Sequence, residues 1–170
     1  MMRVKPTLAG VELSFIVHAT EDEPRLVDAI CKAFRVEPES LKRSEAKGYF
    51  GNPIIYYRVT IKKDRADLLF NELLNRLPAK DVKNILDRLE KYVDGQGHLY
   101  LRIDKQSLLL SRWLTGSQEP VRLKFTLNKW GANILDWKHI VSEFIEKKEG
   151  PENTGGIVDS KVREGTGLMG

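Results

Sequence analysis

Four runs of alternating residues hold the groups best suited to chemistry. Tyr56, Arg58, Thr60 and Lys62 alternate with Ile55, Tyr57, Val59 and Ile61. Tyr100, Arg102, Asp104 and Gln106 follow Leu99, Leu101 and Ile103 in the same way, and Arg122, Lys124, Thr126 and Asn128 follow Val121, Leu123, Phe125 and Leu127. Ser14, Ile16 and His18 occupy the even positions of an earlier run whose odd positions are apolar. Extended backbone sends successive side chains to opposite faces, so each run predicts one apolar face and one polar face. The polar face gathers cations and two tyrosines, the chemistry of an RNA-binding platform: guanidinium and ammonium groups contact phosphates, and aromatic rings stack on unpaired bases. The candidate RNA-binding residues are therefore Tyr56, Arg58, Lys62, Tyr100, Arg102, Arg122 and Lys124, with Lys42, Arg43 and Lys47 able to extend the path. A plain solvated face, or a docking face for a protein or a second copy of the chain in a homodimer, uses the same residue types.

Catalytic constellations are poor. His18, His98 and His139 lie on different elements without metal-ligand spacing, which points to surface or hydrogen-bonded histidines. Cys31 falls on the apolar stripe of a helix, the place of a core residue and not of an activated nucleophile. Glu45-Ala46-Lys47 matches an acid-x-lysine fragment of metal-dependent nucleases, but the fragment is common by chance and no convincing partner acid precedes it. Asp94-Gly95-Gln96-Gly97 follows a helix where a phosphate-cradling loop opens one, so Gly95 is expected to stop the helix and Gly97 to turn the chain. Glu21-Asp22-Glu23 suits helix capping and the helix dipole, and Trp113, Trp130 and Trp137 suit core or interface packing. The expectation is a non-enzymatic protein without metal or cofactor.

The elements that must position the candidate face follow from periodicity. A strand over 11–18 leads to a helix whose N-cap is Asp22, which leaves Pro24 in the first turn where its missing N–H costs nothing. Leu26, Ile30 and Phe34 form that helix's stripe, and it ends before Pro38. Residues 41–50 suit an outer strand. Gly48-Tyr49-Phe50-Gly51-Asn52-Pro53 then forms a loop wider than a two-residue turn, because Pro53 disfavours helical torsions at Asn52. Asp64 is placed to cap a helix carrying Leu69, Leu73 and Leu77, which Pro78 breaks, and Val82 to Val93 continue at helical spacing up to Asp94-Gly95. Two strands and a helix opened by Asn133 complete the order. Such a mixture predicts an α+β fold, a mainly antiparallel twisted sheet with helices packed on one face.

The whole chain fits this scheme. Its 170 residues suit one domain over 1–149 followed by a flexible, Gly-rich tail over 150–170. Lys and Arg total 28 against 24 acids, yet residues 95–129 alone hold six basic and two acidic groups, so the excess charge is concentrated. A concentrated basic surface attracts polyanions. No apolar run approaches the ~20 residues that span a bilayer, and one cysteine makes no internal disulfide. A soluble, cytoplasmic protein with no membrane partner is expected.

Three segments together resemble a known family: His18-Ala19-Thr20-Glu21-Asp22, Gly48-Tyr49-Phe50-Gly51-Asn52-Pro53-Ile54, and Leu99-Tyr100-Leu101-Arg102-Ile103-Asp104-Lys105-Gln106. In that order they resemble the archaeal family described as RNA-binding and as a predicted exosome subunit, over about residues 10–130. The resemblance implies a two-layer fold like that of the large-subunit ribosomal protein that holds the small ribosomal RNA. It also implies a non-catalytic role in RNA processing or decay, with RNA and exosome or other RNA-processing proteins as partners. It carries no set of functional residues across.

Overall fold

The computed structural model describes residues 7–116 and 118–149, so the expected tail lies outside the described residues. Strand β1 (Leu8–His18) and helix α1 (Glu23–Phe34) come first, then the antiparallel pair β2 (Lys42–Lys47) and β3 (Pro53–Lys62). Helices α2 (Lys63–Arg76) and α3 (Ala79–Asp87) follow, then β4 (Leu99–Asp104), the short α4 (Lys105–Leu109), β5 (Pro120–Leu127) and α5, over 134–149. The Asp22 carboxylate accepts from the Arg25 amide at 3.3 Å and starts α1 as expected. Asn133 opens α5 reciprocally: its Oδ1 accepts from the Leu135 amide at 2.8 Å, and its own amide donates to Asp136 at 2.9 Å.

Several boundaries differ from the expectation. Asp64 caps nothing, because α2 starts directly from β3 at Lys63, whose φ of 49° makes the corner in a single residue. The long helix expected to reach Asp94 ends at Asp87; a 3-10 turn over Leu89–Lys91 follows, and Val93 is already bridged to Leu99. Gly95 therefore stops no helix. Gly97 does turn the chain, with φ 85°, and a Cβ there would lie 2.2 Å from the Ala132 carbonyl oxygen. Its own carbonyl accepts from the Trp137 indole at 2.8 Å, which docks α5 on this turn.

All pairings in the sheet are antiparallel, in the order β2-β3-β1-β5-β4. The first strand in sequence is thus central. Its odd residues Val11, Leu13, Phe15 and Val17 are buried with Ile55, Tyr57 and Ile61 of β3 and Val121, Leu123 and Phe125 of β5. Among the described residues, helices cover that face alone. Phe70 of α2 meets Phe125 edge-on at 5.2 Å and Trp137 of α5 at 5.7 Å, while Phe34 of α1 packs on Trp113 at 5.0 Å. This is the α+β, two-layer arrangement expected, and it leaves the other face of the sheet open. Cys31 is buried in the helical layer, and burial pushes its thiol pKa up. Of the three tryptophans expected in core or interface packing, Trp113 and Trp137 are buried in the core, and Trp130 is 98% exposed in the link before α5.

Candidate nucleic-acid interface

Register, which strand periodicity alone does not supply, aligns the cations of the open face. Ser14 lies opposite Arg58 on one side and Arg122 on the other; Arg58 pairs in turn with Lys42, and Arg122 with Arg102. A single row therefore crosses all five strands as Lys42, Arg58, Ser14, Arg122, Arg102. With neighbouring strands ~4.8 Å apart, the row spans about 19 Å. Among the described residues, none of its four cations is in an ion pair with a carboxylate. Two adjacent pairs of cations flanking Ser14, with Glu12 in the adjoining row and Glu119 at the margin, make a basic strip that an anion would help to neutralise.

The next row along the strands is Thr60, Glu12, Lys124, Tyr100. The guanidinium of Arg122 and the ammonium of Lys124 lie 5.8 and 6.0 Å from the Tyr100 ring centroid, so this tyrosine carries cations on its ring. Its hydroxyl hydrogen-bonds Asp94, whose carboxylate also accepts from the Gln96 and His98 amides, each at 2.9 Å. Burial acts to raise the Asp94 pKa, but these hydrogen bonds outweigh it and hold the carboxyl at about 2. Tyr56 lies on the opposite side of the cationic row, between Ser44 and Ile16, and is exposed. Lys62 stands apart at the end of β3, beside Gly10. The face thus brings Arg58, Arg122, Arg102 and Lys124 together with both tyrosines, and leaves Lys62 at its margin.

Three residues expected on or beside this face are elsewhere. Gln106 belongs to α4, where its amide donates to Glu21 at 2.7 Å. Arg43 and Lys47 have the odd parity of β2 and project to the other side; Arg43 is held there by Glu23 at 2.9 Å and Glu45 at 3.0 Å. Only Lys42 of that group extends the row. The ion pair with Arg43 engages Glu45, the acid of the acid-x-lysine fragment.

The acidic triplet does more than cap. Asp22 alone caps; Glu23 receives Arg43 and the Tyr57 hydroxyl, and Glu21 receives the His18 amide at 2.9 Å and the Lys105 ammonium at 2.9 Å. His18 Nε2 lies 2.8 Å from Glu119, so His18, Glu21 and Glu119 bring ligand atoms within 4.8 Å of one another. The donors already on Glu21, one of them a lysine ammonium, make this a hydrogen-bonded network and a poor cation cage. His98 rests on Asp94 and His139 lies near Glu143, so the three histidines occupy separate places, as expected.

A hollow of about 530 Å³ opens beside this network, between the β1–α1 turn, the β2–β3 loop and α4. The loop is closed by the Gly48 amide donating to the Asn52 carbonyl at 2.6 Å, and its tip carries Tyr49 and Phe50, 96% and 85% exposed. Sequence reasoning passed over these two residues; two adjacent aromatics between glycines, with no apolar periodicity around them, were the available signal.

An open antiparallel sheet with helices on one face and, among the described residues, a row of cations without carboxylate partners on the other defines a two-layer α+β protein with a basic sheet face. Comparison with known proteins agrees: the sequence model of a family described as RNA binding matches residues 10–127, and the chain belongs to that archaeal RNA-binding family. A Pyrococcus abyssi protein named as RNA-binding is 33% identical over 117 residues, which cover 66% of this chain and 76% of that relative. Two solved structures of DUF54 proteins share the fold. The one from Archaeoglobus fulgidus is 29% identical with a TM-score of 0.67, covering 81% of this chain and 99% of its own. The one from Methanothermobacter thermautotrophicus is 25% identical with a TM-score of 0.65, covering 81% and 98%. Among the described residues no helix is long and apolar enough to cross a membrane.

Proposed function

We propose that the protein binds RNA through the open sheet face, with Lys42, Arg58, Arg122 and Arg102 on phosphates, Lys124 and Lys62 at the flanks, and Tyr56 and Tyr100 against bases. The observation that carries this reading is the five-strand row of four cations lacking carboxylate partners. Such contacts fix position on the backbone and carry no sequence information themselves. Tyr56 is the freer stacking surface, because Tyr100 already bears Arg122 and Lys124 on its ring.

The proposal extends to a non-catalytic, cytoplasmic accessory role in RNA processing or decay alongside the exosome, and to kinship with the ribosomal-protein fold, as the three resembling segments imply. Co-purification of the full chain with exosome core subunits tests the association, and its absence removes the exosome from the reading. RNA binding itself is tested by titrating the full chain into labelled single-stranded and hairpin RNA at several salt concentrations, beside Arg58→Ala/Arg122→Ala. The wild type should bind at micromolar concentration or tighter, weakening steeply with salt. The variant's log–log slope on single strands should be shallower by up to about 1.4, or ~0.7 per lost phosphate contact. Equal slopes in the two proteins would remove the row from the RNA path. No wild-type binding at low salt would leave the face to a protein partner or a homodimer.

A further inference from the structure

The three segments that carry the family resemblance lie far apart in sequence, and they meet at one corner. His18, Thr20 and Glu21 come from the first, Asn52 and Ile54 from the second, and Gln106 from the third; all line the same hollow. Above it stand Tyr49 and Phe50, their rings edge to face with centroids 5.0 Å apart and planes at 81°. Exposing two neighbouring aromatic rings leaves a large apolar area in water, an arrangement that marks a contact surface more often than a fold requirement. The hollow beneath has a mixed lining: Ala19, Pro53 and Ile54 are apolar, His18 is paired with Glu119 and Gln106 with Glu21, and Asn52 brings an amide that both donates and accepts.

The corner is also continuous with the cationic face. Ile54 and Tyr56 lie on the open side of β3 on the way from Arg58, and four residues of strand cover about 13 Å. Glu119 borders both this hollow and the depression over Ser14, Tyr56, Arg58 and Arg122. An RNA strand that leaves the row at Arg58 and turns along β3 past Tyr56 and Ile54 would bring its bases to the loop.

Resting on the RNA-binding reading above, we propose that this corner is a base-recognition site: an unpaired base of single-stranded RNA stacks on Tyr49 or Phe50, and the Asn52 amide in the hollow reads its edge. Sequence-specific RNA recognition works on splayed bases in this manner, through an aromatic surface and fixed hydrogen-bond partners. The division of labour is then spatial. The row supplies affinity without sequence, and the corner supplies preference among bases. A protein partner would also accept exposed aromatics, but it would not require the cationic strip to lead to them.

The test uses the full chain, with dodecamers of A, C and U at one salt concentration and then across a salt series. Wild type should distinguish the three homopolymers. Tyr49→Ala/Phe50→Ala should bind the preferred one between about fivefold and a hundredfold more weakly, the range of one lost stacking contact. Its preference should collapse and its salt slope should stay unchanged. Asn52→Ala should alter the preference, again without moving the slope, whereas Arg58→Ala/Arg122→Ala should lower every affinity alike. A 2-aminopurine placed within the preferred oligomer should be quenched by wild type and not by the loop variant. A loop variant that matches wild type in affinity, preference and quenching would overturn the corner site while leaving RNA binding by the row intact. A wild type that binds no RNA would overturn both, and loss of a protein complex on the loop substitution would reassign the corner to that partner.

Discussion

A lysine buried to 1% exposure needs its charge answered on every side, and Lys105 meets that need with the Ile16 carbonyl at 2.5 Å and Glu21 at 2.9 Å. Burial pushes the Glu21 pKa up, but the His18 amide and the Lys105 ammonium outweigh that and hold it below the ordinary carboxylate value. Removing one partner of a buried pair leaves the other charge uncompensated. Lys105→Met should therefore lower stability by about 3–5 kcal/mol, read from the urea midpoint, and adding Glu21→Gln should recover part of the loss. The signal for this residue was present in the sequence: position 105 continues the inward parity of Leu99, Leu101 and Ile103, where a lysine is out of place. Its partner was hidden, because Glu21 lies 84 residues away and reads locally as one acid of a helix-start cluster. Arg43 misleads for the opposite reason. It sits beside Lys42 in a basic run, yet adjacent strand residues face opposite sides, and only one of the two can join the row.

At the scale of elements, α1 is the best determined by local sequence, since Asp22, Pro24 and the apolar stripe all act within its own length. Asp22→Ala should cost ~1 kcal/mol, within a range of about 0.5–2 kcal/mol, with the loss visible in the thermal midpoint and in amide exchange of the first turn. The strands were legible too, because alternation against a one-sided core leaves little freedom. The stretch after Pro78 was not. Val82 to Val93 keep helical spacing, but Val93 is taken by a bridge to Leu99, and tertiary pairing overrides the local pattern. The corner at Lys63 is equally non-local: β3 and α2 are fixed by the core on both sides, so the chain adopts a positive φ at a lysine without a cap. Edge strand β2 is exposed along its whole length and carries Lys42, Arg43, Glu45 and Lys47, charges that discourage pairing with another chain.

Across the whole molecule the depressed carboxyls act together. Glu21, Glu23, Asp94 and Asp136 all have folded-state pKa values below their ordinary ones, Asp94 falling from 3.8 to about 2. The unfolded chain therefore binds more protons in that window, so the stabilisation is complete above the ordinary carboxylate range and is lost as pH falls through the folded values. Thermal midpoints should drop between about pH 4.5 and pH 2, and Asp94→Asn should flatten that limb. The composition of the open face was legible from strand parity except at Gln106, where α4 begins, whereas its alignment into one row needed the pairing of five strands. That alignment has a consequence for synthesis of the chain. Lys42 and Arg58 emerge early, on β2 and β3 to one side of the central β1, while Arg102 and Arg122 arrive with the last two strands. The nascent polypeptide thus holds only half of the strip until β5 seats against β1 and β4 against β5, so any ligand that needs all four cations would meet them together only in the completed sheet, and its binding would double as a report that folding has finished.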